Sequence, residues 1–194
     1  AGGLWVGTDR GGYGFFDGTR FTPQSASGSA SESPTVRCLL ETADGTLFIG
    51  LQGSVGRRLP SGEFQLISSS LDVMNLHEDT RGRVWMGTAG SGLHYWQDGH
   101  LTKIEGPAAA LWGSNVISTI TSDPTGVIWV GAANGLHGLN ADLTPRPPVG
   151  FSGQARALLI DSHGVVWIGG MFDGVARLKD GRLSALGRRD GLAS

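Results

Sequence analysis

The sequence predicts an all-β fold built from repeated units of four short antiparallel strands. Three observations predict it. A β-branched and aromatic run recurs as "LWVGT" (4–8), "LFIGL" (47–51), "VWMGT" (84–88), "IWVGA" (128–132) and "VWIGG" (166–170). Its aromatic residues, Trp5, Phe48, Trp85, Trp129 and Trp167, are spaced by 43, 37, 44 and 38 residues, the period of solenoids, propellers and arrays. Glycine supplies 33 of the 194 residues, about 17% against a usual share of roughly 7%, so the chain turns often.

Each unit reads in the same order. A first strand comes from "TVRCLLE" (35–41), "DVMNLHE" (72–78), "NVISTITS" (115–122) and "QARALLI" (154–160). A tight turn follows, with Asp79, Asp123 and Asp161 three residues before Gly82, Gly126 and Gly164; the earliest such turn has Thr42 in the aspartate position and Asp44 next to Gly45. An aspartate side chain accepts from a backbone N–H two residues on, and glycine tolerates positive φ. The D-x-x-G pattern is half of a calcium loop, but each turn offers one or two carboxylates and calcium takes six or more oxygens. The aromatic run is the second strand. A glycine-bearing break leads to a third strand, "YGFF", "LHYWQ", "LHGLN" or "VARLK". Asp17-Gly18, Ser61-Gly62, Asp98-Gly99 and Asp180-Gly181 then mark hairpins into a fourth. No segment reads as a helix, since "GPAAALWG" (106–113) is short and bounded by Pro and Gly.

Four-stranded antiparallel sheets at this period are β-propeller blades. The blade units are about 1–23, 35–68, 72–104, 115–145 and 154–187, four full blades and a partial one. The expectation is an incomplete ring, a fragment of a larger propeller excised from a longer protein, with exposed edges prone to associate. The aromatic of each run fills the gap between blades.

Composition narrows the function classes. A net charge of −2 gives no electrostatic case for nucleic acid or an anionic membrane surface. One cysteine, Cys38, excludes an intrachain disulfide and reads as a small buried hydrophobe. No run approaches a membrane span. The five histidines lack metal-ligand spacing, and there is no nucleophile elbow or phosphate loop. His163, inside a turn, reads as a solvent-facing filler. No cofactor, metal or catalytic residue is expected.

"DTRGRVWMGTAGSGLHYW" (79–96) and "DPTGVIWVGAANGLHGL" (123–139) resemble the two-component regulator propeller repeat. Five such units in register cover nearly the whole chain, and "RRDGLAS" (188–194) resembles the segment that leads into a further repeat. The departures are Phe48 for Trp, Leu51, Ala132 and Gly170 for Thr, and a blurred second unit around "QGSVGRR". The resemblance implies an extracytoplasmic, periplasmic or extracellular, sensor region of a membrane-anchored histidine kinase, including hybrid two-component regulators. In such proteins two propellers often precede a β-sandwich, a membrane span and the kinase, and the ligands are often glycan fragments.

Rigid blades present their connecting loops for function. The variable loops are 22–35, 68–72, 105–115 and 145–154. Candidate ligand-binding residues are Trp112 and Asn115 in the third of these loops, Arg37 and Arg156 at equivalent first-strand positions where an acidic ligand could bind, and Phe172 and Asp173 between a second and a third strand. Trp96, on a third strand, reads as packing between blades. The expected function is binding, not catalysis, of a small molecule or oligosaccharide, relayed to a signalling output. Its partners would be other blades of the parent chain and a homodimer of the parent sensor. A stand-alone propeller lyase or hydrolase and a protein-interaction scaffold are the competing readings.

Overall fold

The computed structural model describes residues 2–24, 34–151, 153–170, 174–187 and 190–191. They form five antiparallel sheets. The first holds β1 (Leu4–Gly7), β2 (Tyr13–Phe16) and β3 (Phe21–Gln24). The second holds β4 (Val36–Glu41), β5 (Leu47–Leu51), β6 (Ser54–Arg58) and β7 (Phe64–Ser68). The third holds β8 (Val73–Glu78), β9 (Val84–Thr88), β10 (Leu93–Gln97) and β11 (His100–Lys103). After a short helix, α1 (Gly106–Ala110), the fourth holds β12 (Ile117–Ser122), β13 (Ile128–Ala132) and β14 (Gly135–Leu139). The fifth holds β15 (Ala155–Ile160), β16 (Val166–Gly170), β17 (Val175–Lys179) and β18 (Arg182–Leu186). In every sheet the strands lie side by side in chain order. The chain forms two compact units, Ala1–Leu76 and His77–Ser194, with the boundary inside β8.

Two expectations are corrected. The unit at 115–145 is not a full four-stranded blade. Its fourth strand shrinks to a single bridge between Leu139 and Pro145, because Pro145, Pro147 and Pro148 have no N–H to donate to a ladder. The segment 106–113 is partly helical after all. Pro107 suits a first helical turn, and Ala108 and Trp112 are buried in the same cluster.

Two of the four predicted hairpins take the two-residue form, whereas at Asp17-Gly18 and Ser61-Gly62 only the glycine has positive φ. Asp98-Gly99 has φ of 50° and 82°, and Asp180-Gly181 has 49° and 72°. Positive φ at both central residues is the two-residue turn that matches strand twist.

One packing rule recurs. The run aromatic of one sheet packs on the residues flanking the aromatic of the next. In the first unit Trp5 packs with Leu47 and Ile49. In the second unit Trp85 shares a cluster with Ile128 and Val130, and Trp129 with Val166 and Ile168. β5, β9 and β13 are buried at every residue.

Candidate functional site

The D-x-x-G turns hold their sheets through the aspartate. Oδ1 of Asp79 accepts the N–H of Arg81 at 2.9 Å and of Arg83 at 3.0 Å. Oδ1 of Asp123 and of Asp161 accept the corresponding pairs from Thr125 and Val127 and from His163 and Val165. The second oxygen takes a task that turn chemistry does not reveal. It accepts the indole N–H of the run tryptophan, at 2.8 Å for Trp85, 3.3 Å for Trp129 and 2.9 Å for Trp167. These carboxylates are therefore structural. At Asp161 the indole and the Val165 N–H hold the carboxyl below its usual range. His163 is exposed in this turn.

Among the described residues, a concavity lies in the second unit, between the fourth and fifth sheets, where the fourth strand is missing. It has a volume of about 350 Å³, within the usual range for small-molecule sites. Trp129, Val166 and Leu178 form its apolar wall, Arg146 crosses it, and Asp123 and Asp180 add carboxylates. Pro147, Pro148 and Val149 line the side where strand pairing has lapsed. Arg146 is well placed. Its backbone N–H reaches the Gly138 carbonyl at 2.9 Å, Nη1 donates to Asn140 Oδ1 at 3.0 Å, and its guanidinium lies 6.0 Å from the Trp129 ring centre. Gly138 makes room, since a Cβ there would meet Arg146 Cδ at 2.9 Å. An apolar wall beside a guanidinium and carboxylates suits a small polyhydroxylated or acidic ligand. A second, shallower depression along β17 and β18 carries Arg177, Lys179 and Arg182 but has no deep apolar wall.

Of the residues expected at the site, the described ones do not line this concavity. Arg37 is exposed and already paired with a carboxylate. Its Nε sits 2.6 Å from Asp72 Oδ1 and its Nη2 3.2 Å from Oδ2, and Asp72 also accepts the Gly53 N–H. Trp112 is 1% exposed and packed among Trp85, Ile117 and Leu139, so no ring face is open to a sugar. It covers the core because α1 turns it inward. Asn115 is exposed, and its carbonyl accepts the Gly92 N–H at 2.9 Å. Arg156 is exposed on β15. Neither it nor Asn115 lines the cavity. Arg37 and Arg156 do share a feature, a register irregularity at Val36/Cys38 and at Ala155/Ala157. Such a bulge re-aims a side chain. Phe172 and Asp173 lie outside the described residues. Trp96 is half-buried on β10. The signal for the cavity that sequence reasoning passed over is the run of prolines at 145–148.

Other reactive groups are accounted for by packing. Burial pushes the Cys38 thiol up to about 12, so it is protonated at neutral pH. Nε2 of His77 and Oγ of Ser122 are 2.7 Å apart between β8 and β12. Both are half-buried, and Asp79, the nearby charge, is engaged by Arg83 and Trp85. Among the described residues no three His, Cys, Asp or Glu gather as a metal site. No described helix is long and apolar enough to cross a membrane.

Burial lowers the proton affinity of His77, His94 and His137, with the Lys103 charge adding to the effect at His94 and the Asp79 charge opposing it at His77. A folded pKa below the unfolded one means that unfolded histidines take protons first. Stability should be full above about pH 6.5 and fall as the pH drops toward the folded values. Urea midpoints at about pH 7.5 and about pH 5.5 test this, and an unchanged midpoint would refute it.

No family model and no curated protein matches this sequence. Solved structures do match by fold. The chain aligns over 98% of its length, with a TM-score of 0.80 and 21% identity, to an extracellular domain described as that of a hybrid two-component system from B. thetaiotaomicron. A second such domain from that organism aligns over 95%, with a TM-score of 0.75 and 20% identity. Virginiamycin B lyase from Staphylococcus aureus aligns over 95%, with a TM-score of 0.76 and 14% identity, and 66% of that chain is covered. The chain spans 27% and 26% of the two extracellular domains, about a quarter of their length. At these identities the likeness establishes a propeller-like fold of antiparallel sheets.

Proposed function

We propose that this chain is part of an extracytoplasmic sensor region that binds a small ligand, of the size of a glycan fragment, and passes the event to a two-component signalling output. The observation that carries the reading is the fold match along 98% of the chain to an extracellular domain of a hybrid two-component system. The repeat motifs that resemble two-component regulator propellers support it. The cavity beside Trp129 and Arg146 is the proposed binding site. Signalling requires that the ligand bind two states of the sensor unequally. The prolyl segment between the fourth and fifth sheets, in place of a fixed strand, is the element that would carry such a difference.

The reading is tested on the source DNA and on the protein. The reading frame should continue into a membrane span and a histidine-kinase core; a frame without a span overturns the sensor assignment. Calorimetric titration with a panel of neutral and uronic-acid oligosaccharides should find a binder, and Arg146→Ala should weaken it at least about tenfold, as expected for loss of a charge-assisted hydrogen bond. Binding unaffected by Arg146→Ala would move the site away from the cavity.

A further inference from the structure

Within the second unit, one position recurs in two neighbouring gaps between sheets. In the gap between the third and fourth sheets it holds a cation. The guanidinium of Arg83 lies 5.0 Å from the Trp85 ring centre and 5.9 Å from that of Tyr95. Its Nε donates to Asp79 Oδ2 at 2.7 Å, and its Nη1 to the Ala141 carbonyl at 3.3 Å. The slot is made of a turn carboxylate, a run tryptophan and an acceptor from the segment that follows β14 in the next sheet.

In the gap between the fourth and fifth sheets these walls recur without the cation. Asp123 and Trp129 correspond to Asp79 and Trp85, and the hairpin after β17 brings Asp180. The cavity of about 350 Å³ touches all three. The counterpart of Arg83, four residues after the aspartate, is Val127, which offers the carboxylate no donor. The counterpart of Tyr95, opposite the run tryptophan, is Gly138. Arg146 does not take the place of Arg83. Its stem runs close to Gly138, and its Nη1 turns to Asn140 Oδ1. Among the described residues neither Asp123 nor Asp180 forms an ion pair.

We infer that the ligand of this cavity is an amino sugar with a free ammonium group, and that this group takes the place held by the Arg83 guanidinium in the neighbouring gap. The inference rests on the reading of this cavity as the binding site. Two carboxylates and one guanidinium line it, so a cation is favoured over an anion. The ammonium and ring hydroxyls donate to Asp123 and Asp180, while Arg146 donates to ring oxygens. An acetylated amine has no charge to pair with either carboxylate, so the site distinguishes the two forms of one sugar.

Calorimetric titration at neutral pH with three disaccharides of the same linkage tests this: that of glucosamine with free amines, its N-acetylated form, and neutral cellobiose. The free-amine disaccharide should bind at least about tenfold more tightly than either of the others, and the preference should shrink as salt is added. Asp180→Asn changes only the charge, at an exposed hairpin position whose positive φ asparagine tolerates. It should cut the preference at least about threefold. Val127→Arg gives Asp123 a guanidinium from the chain itself, as Arg83 does for Asp79, and should abolish the preference. Urea unfolding checks that this core variant folds, and Asp180→Asn decides where it does not. Arg146→Ala should lower affinity while leaving the preference in place. Equal binding of the free and acetylated forms, or a preference unchanged in Asp180→Asn, would overturn the inference; a neutral or uronic-acid sugar that binds through Arg146 would then leave the sensor reading standing. If no sugar binds, the cavity is not the site and the inference falls with it.

Discussion

Asp79→Ala is expected to destabilise the second unit by about 3–5 kcal/mol, the cost of removing one partner of a buried ion pair. Asp79 is 5% exposed. Its Oδ2 takes Arg83 Nε at 2.7 Å and the Trp85 indole at 2.8 Å, while Oδ1 holds the turn. Without the carboxylate, a guanidinium and an indole N–H lose their acceptor beneath Trp85, which is fully buried. Arg83 also lies 5.0 Å from the Trp85 ring centre, so its displacement would disturb the aromatic as well. Burial alone would raise the Asp79 carboxyl, but the indole, the Arg83 side chain and two backbone N–H groups outweigh it and leave the carboxyl below its usual range. The folded pKa is therefore below the unfolded value of about 3.9. The stabilisation is present above that pH and is lost as the pH falls through the folded value. Urea unfolding should show a large gap between wild type and variant at neutral pH and a smaller one in acid. Asp161→Ala is the control. It removes the same turn and indole bonds but no arginine pair, at a more exposed turn, and its effect should be clearly smaller. Equal effects would mean that the buried ion pair is not what stabilises the turn.

The same turn shows what was legible before the structure. Strand order, the D-x-x-G turns and the D-G hairpins follow from residue types with local geometric demands, and these demands act over two to four residues. The indole bond spans six, from Asp79 to Trp85, beyond the reach of turn chemistry. A signal for it was nonetheless present. The unit that has Thr42 for Asp also has Phe48 for Trp, so acceptor and donor vanish together. There the Thr42 hydroxyl closes the turn on Asp44 and the Thr46 carbonyl. Trp112 and Arg37 were open to more than one reading for a different reason. A loop tryptophan and a strand arginine are ambiguous until their neighbours are placed, and α1 and Asp72 supply those neighbours. The cavity beside Trp129 depends on a strand that fails to form, which prolines foretell at Pro145–Pro148 without saying what the gap uncovers.

Gly131→Ala should cost about 1–3 kcal/mol, the usual range for overpacking a filled core, whereas Gly169→Ala should be close to neutral. Both glycines occupy the same place, two residues after the run tryptophan, and neither has a positive φ. The difference lies in what comes next. A Cβ on Gly131 would stand 2.5 Å from Thr119 Cγ2, 3.0 Å from Ala155 Cβ and 3.1 Å from the Ala155 carbonyl oxygen. Two of those atoms belong to β15, so the fifth sheet would have to move. Gly87 is in the same position, with Ile117 of the next sheet 2.9 Å from its would-be Cβ. Among the described residues, Gly169 has nothing nearer than its own sheet's Ala157, at 3.4 Å, an ordinary contact. The glycine of the run thus sets the spacing between the fourth and fifth sheets, and in the fifth sheet no described residue of another sheet approaches it. Denaturant unfolding of the two variants measures the difference directly. A Gly169→Ala variant as unstable as Gly131→Ala would show that the glycine serves the strand itself and not the gap beside it.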